Sequence, residues 1–164
     1  ILNEKKEKNI KIQLIGDGML KPKLMKRVLD EKIENCEFLD PIPKEDLFIY
    51  LQKNADVGLM ILENIPAFYF GTSPNKFFDY LSLGLPIINN YPGWVSNLIN
   101  ENKCGIAVRP NDPNALAQSL IHLYNNKSLL IEMGMNSKNL AVSQFNRDEL
   151  GENFVTFLES VCQK

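Results

Sequence analysis

Histidine is almost absent from this chain of 164 residues, which contains one histidine, one tryptophan and three cysteines. His122 has no metal-ligating neighbour at a suitable spacing, and Cys36, Cys104 and Cys162 are far apart in the sequence. Metal centres and catalytic triads need clusters of such residues. We therefore expect no metal site and no triad, and we expect reduced structural thiols in place of disulfides.

Strong net charge and long apolar runs are also missing. The 18 basic and 20 acidic residues give a formal net charge of −2, so no basic field argues for nucleic-acid binding. The lysine-rich stretches at 5–8 and 21–27 are interrupted by acidic or apolar residues, which is typical of a solvated face. No run approaches the roughly 18 apolar residues of a membrane helix. The absence of a Gly-x-x-x-x-Gly-Lys-Ser/Thr loop excludes a P-loop NTPase.

Strand and helix patterns alternate along a chain long enough for one domain with a real core. Such alternation predicts an α/β fold, a Rossmann-like parallel sheet with helices on both faces. Ligands of these folds bind at the carboxyl ends of the strands. The polar loops predicted at that edge are 16–18, 40–43, 63–75 and 89–93. The predicted strands are 11–15, 36–39, 56–62, 86–89 and 104–108, and the predicted helices are 19–32, 44–53, 74–83, 94–100, 114–125, 127–143 and 147–161.

The segment from Gly71 to Ile88 is the most informative one. Ser73 is a suitable helix cap, Pro74 suits the first turn, and Gly84 is able to end the helix in a left-handed conformation. A polar loop that leads into a helix N-terminus is a ready site for a phosphate. Helical spacing predicts one polar arc and one core-facing arc. The polar arc is Asn75, Lys76, Asp79 and Ser82, and the apolar arc is Phe77, Phe78, Tyr80 and Leu81.

Lys76 and Asp79 allow two interpretations at this point. Beside a helix N-terminus, a lysine and a carboxylate are suited to the phosphates and the ribose hydroxyls of a nucleotide. Their spacing of three residues is equally that of a surface ion pair, which contributes only about a few tenths of a kcal/mol. Both interpretations remain open from these residues alone.

Gly16-Asp17-Gly18 directly follows the first predicted strand. The two glycines permit close approach of the backbone to a phosphate or to a neighbouring domain. A simple tight turn between strand and helix explains them equally well. The third glycine of the dinucleotide fingerprint is missing. A methyltransferase would need an acidic residue at the end of the second strand, and Glu37 is poorly placed for that.

The order of these segments resembles the C-terminal, donor-binding domain of GT-B glycosyltransferases, in the large retaining group called glycosyltransferase family 4. The likeness covers nearly the whole chain. Within the family, the block from Pro74 to Pro86 and the run 89–94 are similar to a bacterial subgroup that builds surface polysaccharides, most of all to its fucosamine-type transferases. The segments that carry the likeness are 15–18, 38–43, 54–59, 73–88 and 104–110.

The resemblance implies specific roles. The family usually has a glutamate at the position of Asp79, which holds the ribose hydroxyls, and the loop matching 40–43 lies against the base. The loop from Gly71 to Asn75 would give backbone N–H groups to the diphosphate. The family's first glutamate is replaced by Gly71, so Glu63 or another loop residue would have to hold the sugar. The expected donor-binding residues are Thr72, Ser73, Pro74, Asn75, Lys76, Asp79, Gly16, Gly18, Pro41 and Ile42.

The resemblance also implies a reaction and its partners. We expect a nucleotide-sugar donor, UDP-linked, for retaining transfer to a surface-polysaccharide or lipid-linked acceptor, with no cofactor and no metal. Family members catalyse in a cleft between two domains, and the catalytic residues themselves are unknown here. We expect residues 1–164 to form one donor domain, inactive without its N-terminal acceptor domain. The expected location is the cytoplasm, at the inner face of the membrane where the acceptor is lipid-linked.

Both ends of the chain support this expectation of a longer protein. Residues 1–3 resemble the tail of a preceding helix, and the sequence has no initiator methionine and no signal peptide. The segment from Gln144 onward resembles a helix that crosses back to the partner domain. Phe154, Phe157 and Leu158 would then be exposed for that domain, or else packed in an ordinary core. The alternative function is a stand-alone α/β module that binds a nucleotide or a protein without catalysis, and the full-length gene would distinguish the two.

Overall fold

A computed structural model describes residues 1–5 and 7–162 of the chain. Strands and helices alternate through the first two thirds, and helices alone form the last third. In chain order the elements are β1 (Ile12–Ile15), α1 (Lys21–Asp30), β2 (Cys36–Leu39), α2 (Lys44–Asn54), β3 (Gly58–Met60), α3 (Pro66–Tyr69), α4 (Asn75–Leu83), β4 (Ile87–Asn89), α5 (Trp94–Glu101), β5 (Gly105–Ala107), α6 (Pro113–Asn125), α7 (Lys127–Gln144) and α8 (Arg147–Cys162).

The strands pair in parallel, which confirms the predicted α/β class. They form two sheets, one of order β1-β2 and one of order β3-β4-β5. In the first sheet Leu14 is opposite Phe38, and in the second Leu59 is opposite Ile88, which is itself opposite Ile106. Within the described residues the parallel strands fall into two hydrogen-bonded groups, because β1 and β3 are not hydrogen-bonded neighbours.

The main core lies around the second sheet. Phe77 and Leu81 on α4 are fully buried, as are Ile87 on β4 and Ile99 on α5. A second cluster joins the other face of that sheet to α6, where Leu123 packs beside Ile88 and Ile10. Strands buried on both faces explain why β4 consists of apolar residues and one asparagine, without the alternating pattern of a half-exposed strand.

Helix α4 has the predicted two arcs but a different start. Pro74 is the residue before the helix, with extended φ and ψ of −79° and 128°, and no side chain caps this end. The predicted cap by Ser73, with Pro74 in the first turn, is therefore wrong. Proline adopts this φ readily, and its carbonyl accepts the Phe77 N–H at 3.0 Å, which closes the first turn without a side chain. At the other end Gly84 has φ +69°, the predicted left-handed stop.

The segment 63–72, predicted as a surface loop, contains the short helix α3. Tyr69 at its end is buried and stacks on Tyr91, with ring centroids 6.5 Å apart. The amide of Asn90 binds both the N–H and the C=O of Leu62, at 2.8 and 2.9 Å. The prediction of a loop was wrong because the tertiary contacts that order Pro66 and the aromatic residues after it are not visible in the sequence.

The predicted ends of the other elements are confirmed within a few residues. Asp112 accepts the N–H of Ala115 at 2.8 Å and caps α6. The three cysteines are free thiols, with Cys104 buried and Cys162 exposed. Among the described residues, none of the helices combines the length and the apolar character needed to span a bilayer.

Candidate functional site

A cavity of about 930 Å³ opens beside the end of β1. Gly16 and Gly18 from the β1–α1 loop and Lys76 and Asp79 from α4 all line it. These four residues are among those that the sequence predicted as donor-binding. The fold thus brings together two segments that are about 60 residues apart in the chain.

Asp79 lies one helical turn inside α4 with its carboxylate partly open to solvent, at 32% exposure. Its ion-pair partner is Lys44 at the start of α2, with Nζ 3.4 Å from Oδ1. In the described part of the chain Lys76 forms no ion pair with Asp79, and its side chain is exposed. The structure therefore argues against the local ion pair that the spacing of Lys76 and Asp79 allowed.

Close packing of α4 on β3 fixes the position of Asp79. A Cβ atom at Gly58 on β3 would lie only 2.3 Å from the ring of Tyr80, so only glycine allows the helix to approach this closely. Burial, and to a smaller degree the charge of Asp79, raises the pKa of the Tyr80 phenol. Tyr80 therefore stays neutral at physiological pH and serves as a packing residue beside the carboxylate.

Lys21 joins the two loops that follow β1 and β2. Its ammonium group donates to the carbonyls of Gly16 and Leu39, at 3.0 and 3.3 Å, and to Oδ1 of Asp40 at 2.9 Å. The side chain is only 17% exposed, whereas Asp40 is almost fully exposed. Hydrogen bonds to a charged donor are stronger than neutral ones. Lys21 thus holds the turn at Gly16 in place against the loop 40–43.

The N-terminus of α4 is held by aromatic packing. Phe77 lies edge-on to Trp94 and Phe145, with centroids 5.9 and 6.2 Å away. The indole N–H of Trp94 donates to the carbonyl of Thr72 at 3.0 Å, which ties the preceding loop to α5. With the Phe77 N–H bonded to Pro74, the N–H groups of Asn75 and Lys76 remain at the positive end of the helix dipole.

The remaining predicted residues lie around this centre without lining the cavity. Thr72 and Pro74 are half-buried, Ser73 and Asn75 are exposed, Pro41 is exposed and Ile42 is half-buried. Gly71 is exposed, and a Cβ there would meet nothing within 4 Å. The structure brings Gly16, Gly18, Lys76 and Asp79 to one cavity, and it leaves the loops 40–43 and 71–75 at the surface.

Sequence reasoning missed both lysines that organise this edge. Lys44 stands directly after the loop 40–43, at the start of a helix that follows β2, so its place at the carboxyl edge was a usable signal. Lys21 was included in a basic stretch assigned to a solvated face, yet it is mostly buried. Within the described ranges, no group of histidine, cysteine and carboxylate side chains has the geometry of a metal site.

A parallel α/β fold with a cavity that has polar residues at the carboxyl ends of its strands is typical of a Rossmann-like domain. The chain belongs to the family described as "Glycosyl transferases group 1", whose model matches residues 1–126. It is 23% identical to the O-antigen chain mannosyltransferase C of Escherichia coli over 165 aligned positions. That match covers 98% of this chain and 43% of the relative, so the chain spans less than half the length of the curated protein that it resembles.

Several solved structures have the same fold. Anabaena HepE in complex with UDP has a TM-score of 0.76 at 15% identity, over 93% of this chain and 41% of that one. A TarM mutant of S. aureus, in complex with Fondaparinux, alpha-GlcNAc-glycerol and UDP, has a TM-score of 0.75 at 16% identity, over 94% and 30%. WaaG, a glycosyltransferase of lipopolysaccharide biosynthesis, has a TM-score of 0.66 at 16% identity, over 86% and 36%. These likenesses show a fold shared with GT-B enzymes.

Proposed function

We propose that this chain is the donor-binding part of a retaining glycosyltransferase of family 4 that takes a nucleoside-diphosphate sugar, with UDP as the nucleotide. One observation carries the proposal. Lys76 and Asp79 on α4 line the same cavity as Gly16 and Gly18, at the carboxyl edge of a Rossmann-like domain. Membership of the glycosyltransferase family and two neighbours bound to UDP support this ligand class.

The geometry of α4 suits the two polar parts of a nucleotide. Free N–H groups and the helix dipole at Asn75 and Lys76 favour a diphosphate. Asp79 lies four residues further on, roughly 6 Å along the helix axis. An ionised carboxylate is an acceptor only, so its two oxygens suit the 2′- and 3′-hydroxyls of a ribose. Lys44, which is paired with Asp79, would keep that carboxylate oriented when the ribose binds.

Fewer residues are candidates for contacts with the sugar of the donor. Gly71 offers open space where the family has a glutamate. Glu63 lies in the ordered segment before α3, and we propose that it or a neighbouring loop residue contacts the sugar. The apolar faces of Pro41 and Ile42 would lie against the base. We propose no metal for the transfer, since charge at the diphosphate would be neutralised by the α4 N-terminus and Lys76.

The acceptor half of the enzyme would be a second domain that precedes this one. Helix α8 buries none of its residues, and Phe154, Phe157, Leu158 and Val161 form an exposed stripe at helical spacing. The interpretation of these residues as ordinary core is therefore wrong. We propose that the stripe packs on the acceptor domain. The proposed acceptors are surface-polysaccharide or lipid-linked glycans, as in the fucosamine-type subgroup. Transfer would take place at the cytoplasmic side of the membrane.

Calorimetric titration of the full-length protein with UDP tests the proposal. Asp79→Ala should weaken UDP binding roughly tenfold to a hundredfold, because a charge-assisted bond to the ribose is lost. Asp30→Ala is the matched control, since Asp30 also pairs with one lysine, Lys26, but lies on the outer surface of α1. The control should change the affinity less than about twofold.

Equal UDP affinity in the wild type and Asp79→Ala would contradict the assignment of the ribose to Asp79. UDP binding that depends on Asp79, without sugar transfer by the full-length protein to any glycan acceptor, would favour the alternative of a nucleotide-binding module without catalysis. If the wild type binds another nucleoside diphosphate but not UDP, the proposed site is kept and the proposed nucleotide of the donor changes.

A further inference from the structure

Lys21 differs from the other ion-paired residues of α1 in its burial. Its side chain is 17% exposed, whereas Lys26, Arg27 and Asp30 are 57% to 77% exposed. An ammonium group loses hydration when it is buried, and this loss is costly unless hydrogen bonds replace the water. The position of Lys21 therefore depends on the partners of its ammonium group.

All three N–H donors of this ammonium group have a partner within the protein. Lysine has three donors and no acceptor. Nζ of Lys21 lies 3.0 Å from the carbonyl oxygen of Gly16, 3.3 Å from that of Leu39 and 2.9 Å from Oδ1 of Asp40. A phosphate could bind Lys21 only by displacing one of these partners. We therefore interpret Lys21 as a residue that acts on the two loops, and not as a direct ligand of the donor.

The turn at Gly16 has little apolar packing to hold it. Helices α1 and α2, which precede and follow β2, bury none of their residues. Both backbone groups of Gly16 are hydrogen-bonded instead. Its N–H donates to the carbonyl of Leu39 at 3.2 Å, and its C=O accepts from Lys21. The conformation of this turn thus depends on polar contacts, and Lys21 supplies the one at the carbonyl.

The contact of Lys21 with Gly16 also sets the direction of the next N–H group. The peptide bond between Gly16 and Asp17 is trans, so the carbonyl of Gly16 and the N–H of Asp17 point in opposite directions. Because the carbonyl points to Lys21, the N–H of Asp17 points away from it. Among the described residues this N–H has no hydrogen-bond partner, whereas the N–H of Gly18 donates to Oδ1 of Asp17 at 2.9 Å.

Asp17 lines the same cavity as Lys76 and Asp79. We propose that Lys21 is a positioning residue of the donor site. By holding the carbonyl of Gly16, it presents the N–H of Asp17 to an oxygen atom of the bound nucleoside diphosphate. This inference rests on the proposed function, and it adds a backbone donor on the β1 side of the cavity to the contacts that α4 would make on the other side.

Carbonyl chemical shifts of the full-length protein without ligand test the contact itself. In Lys21→Met the carbonyl carbons of Gly16 and Leu39 should shift upfield, because each loses a hydrogen bond from a charged donor. Lys26→Met is the matched control, since it removes an ammonium group from the exposed side of the same helix. Unchanged carbonyl shifts in Lys21→Met would overturn the proposal, and this result does not depend on the identity of the nucleotide.

Titration of the full-length protein with UDP, followed by NMR, tests the consequence. In the wild type, saturating UDP should move the amide proton signals of both Asp17 and Lys76 downfield, since both would donate to the ligand. In Lys21→Met the affinity for UDP should fall about tenfold. The signal of Asp17 should then move little at saturation, while that of Lys76 still moves. A loss of stability alone would not separate these two amides. Lys26→Met should change the affinity less than about twofold.

The outcomes distinguish this inference from the proposed function. If UDP moves the amide of Lys76 but not that of Asp17 in the wild type, the inference is overturned and the donor site is kept. This measurement needs no variant, so it remains decisive if Lys21→Met does not fold. Equal affinity of Lys21→Met and Lys26→Met for UDP would also overturn the inference alone. A wild type that binds none of UDP, GDP, ADP and CDP would overturn the proposed function, and the inference with it.

Discussion

The sheet of β1 and β2 and the sheet of β3, β4 and β5 are built from the same kind of βα unit, yet they are packed very differently. Helices α1 and α2, which flank the first sheet, contain no buried residue. Around the second sheet, α4 and α5 bury Phe77, Leu81, Val95 and Ile99 almost completely. The fold therefore has one dense half and one half whose apolar surface is still largely exposed.

The candidate site straddles these two halves. Lys76 and Asp79 come from the dense half, whereas Gly16, Gly18 and Lys44 come from the loosely packed one. In the loose half, polar contacts of Lys21 and Lys44 hold the loops where packing does not. We therefore expect a ligand at the mouth of the cavity to reduce the mobility mainly of the first sheet, since the second sheet is held by its own core.

The largest expected difference is between two leucines on helices of the two halves. Leu81 on α4 is fully buried and Leu29 on α1 is 78% exposed. Leu81→Ala should lower the free energy of unfolding by about 2–5 kcal/mol, whereas Leu29→Ala should change it by less than about 0.5 kcal/mol. Urea unfolding of both variants measures this. A comparable loss for Leu29→Ala would mean that α1 is buried in solution and that the contrast between the halves is wrong.

A pair of glycines gives the next largest expected effect. A Cβ at Gly58 would clash with the ring of Tyr80, whereas a Cβ at Gly18 would meet nothing within 4 Å. Gly58→Ala should cost about 1–3 kcal/mol through overpacking, and Gly18→Ala less than about 0.5 kcal/mol. Thermal unfolding distinguishes them.

The same two glycine variants connect packing with the proposed ligand. Gly18→Ala should weaken UDP binding while stability is retained, because the proposed backbone approach to phosphate would meet the added methyl group. If Gly18→Ala binds UDP as the wild type does, Gly18 is only part of a tight turn, the alternative that the sequence left open.

The smallest expected effect is a pH dependence in the dense half. Burial raises the pKa of Tyr91 to about 12. The unfolded chain then loses this proton first, near pH 10, so stability should be complete below about pH 10 and fall as the pH rises towards 12. Tyr91→Phe should remove that part of the alkaline loss, measured by chemical unfolding between pH 9 and about 11. An unchanged pH profile in Tyr91→Phe would show that Tyr91 is hydrated.

Much of the fold was predictable because its signals are local. Gly84 ends α4 and Asp112 caps α6 by chemistry within a few residues, and the apolar spacing in α4 defines its buried arc. One wrong prediction has a local cause and one has a long-range cause. Ser73 is a suitable cap residue, but the Pro74 carbonyl closes the first turn of α4. Helix α3 is ordered by contacts of Tyr69 with a tyrosine more than 20 residues away.

The candidate site could also be predicted from the sequence only in part. The pattern around Lys76 and Asp79 indicated a ligand-binding helix, and the family resemblance gave Asp79 its proposed role. The position of Lys44 after the loop 40–43 could have been predicted, but its ion pair with Asp79 and the hydrogen bonds of Lys21 could not. Contacts between distant elements depend on how α2 and α1 pack beside the strands.

The sequence by itself determined the alternation of strands and helices, the carboxyl-edge loops and the family. Periodicity, turn residues and motifs depend only on residues that are close together in the chain. Only the tertiary structure decided that the strands form two sheets, that Asp79 pairs with Lys44, and that one cavity is lined by residues of both β1 and β3. Strand pairing depends on hydrogen bonds between segments far apart in the chain, and no local pattern specifies which edges remain open.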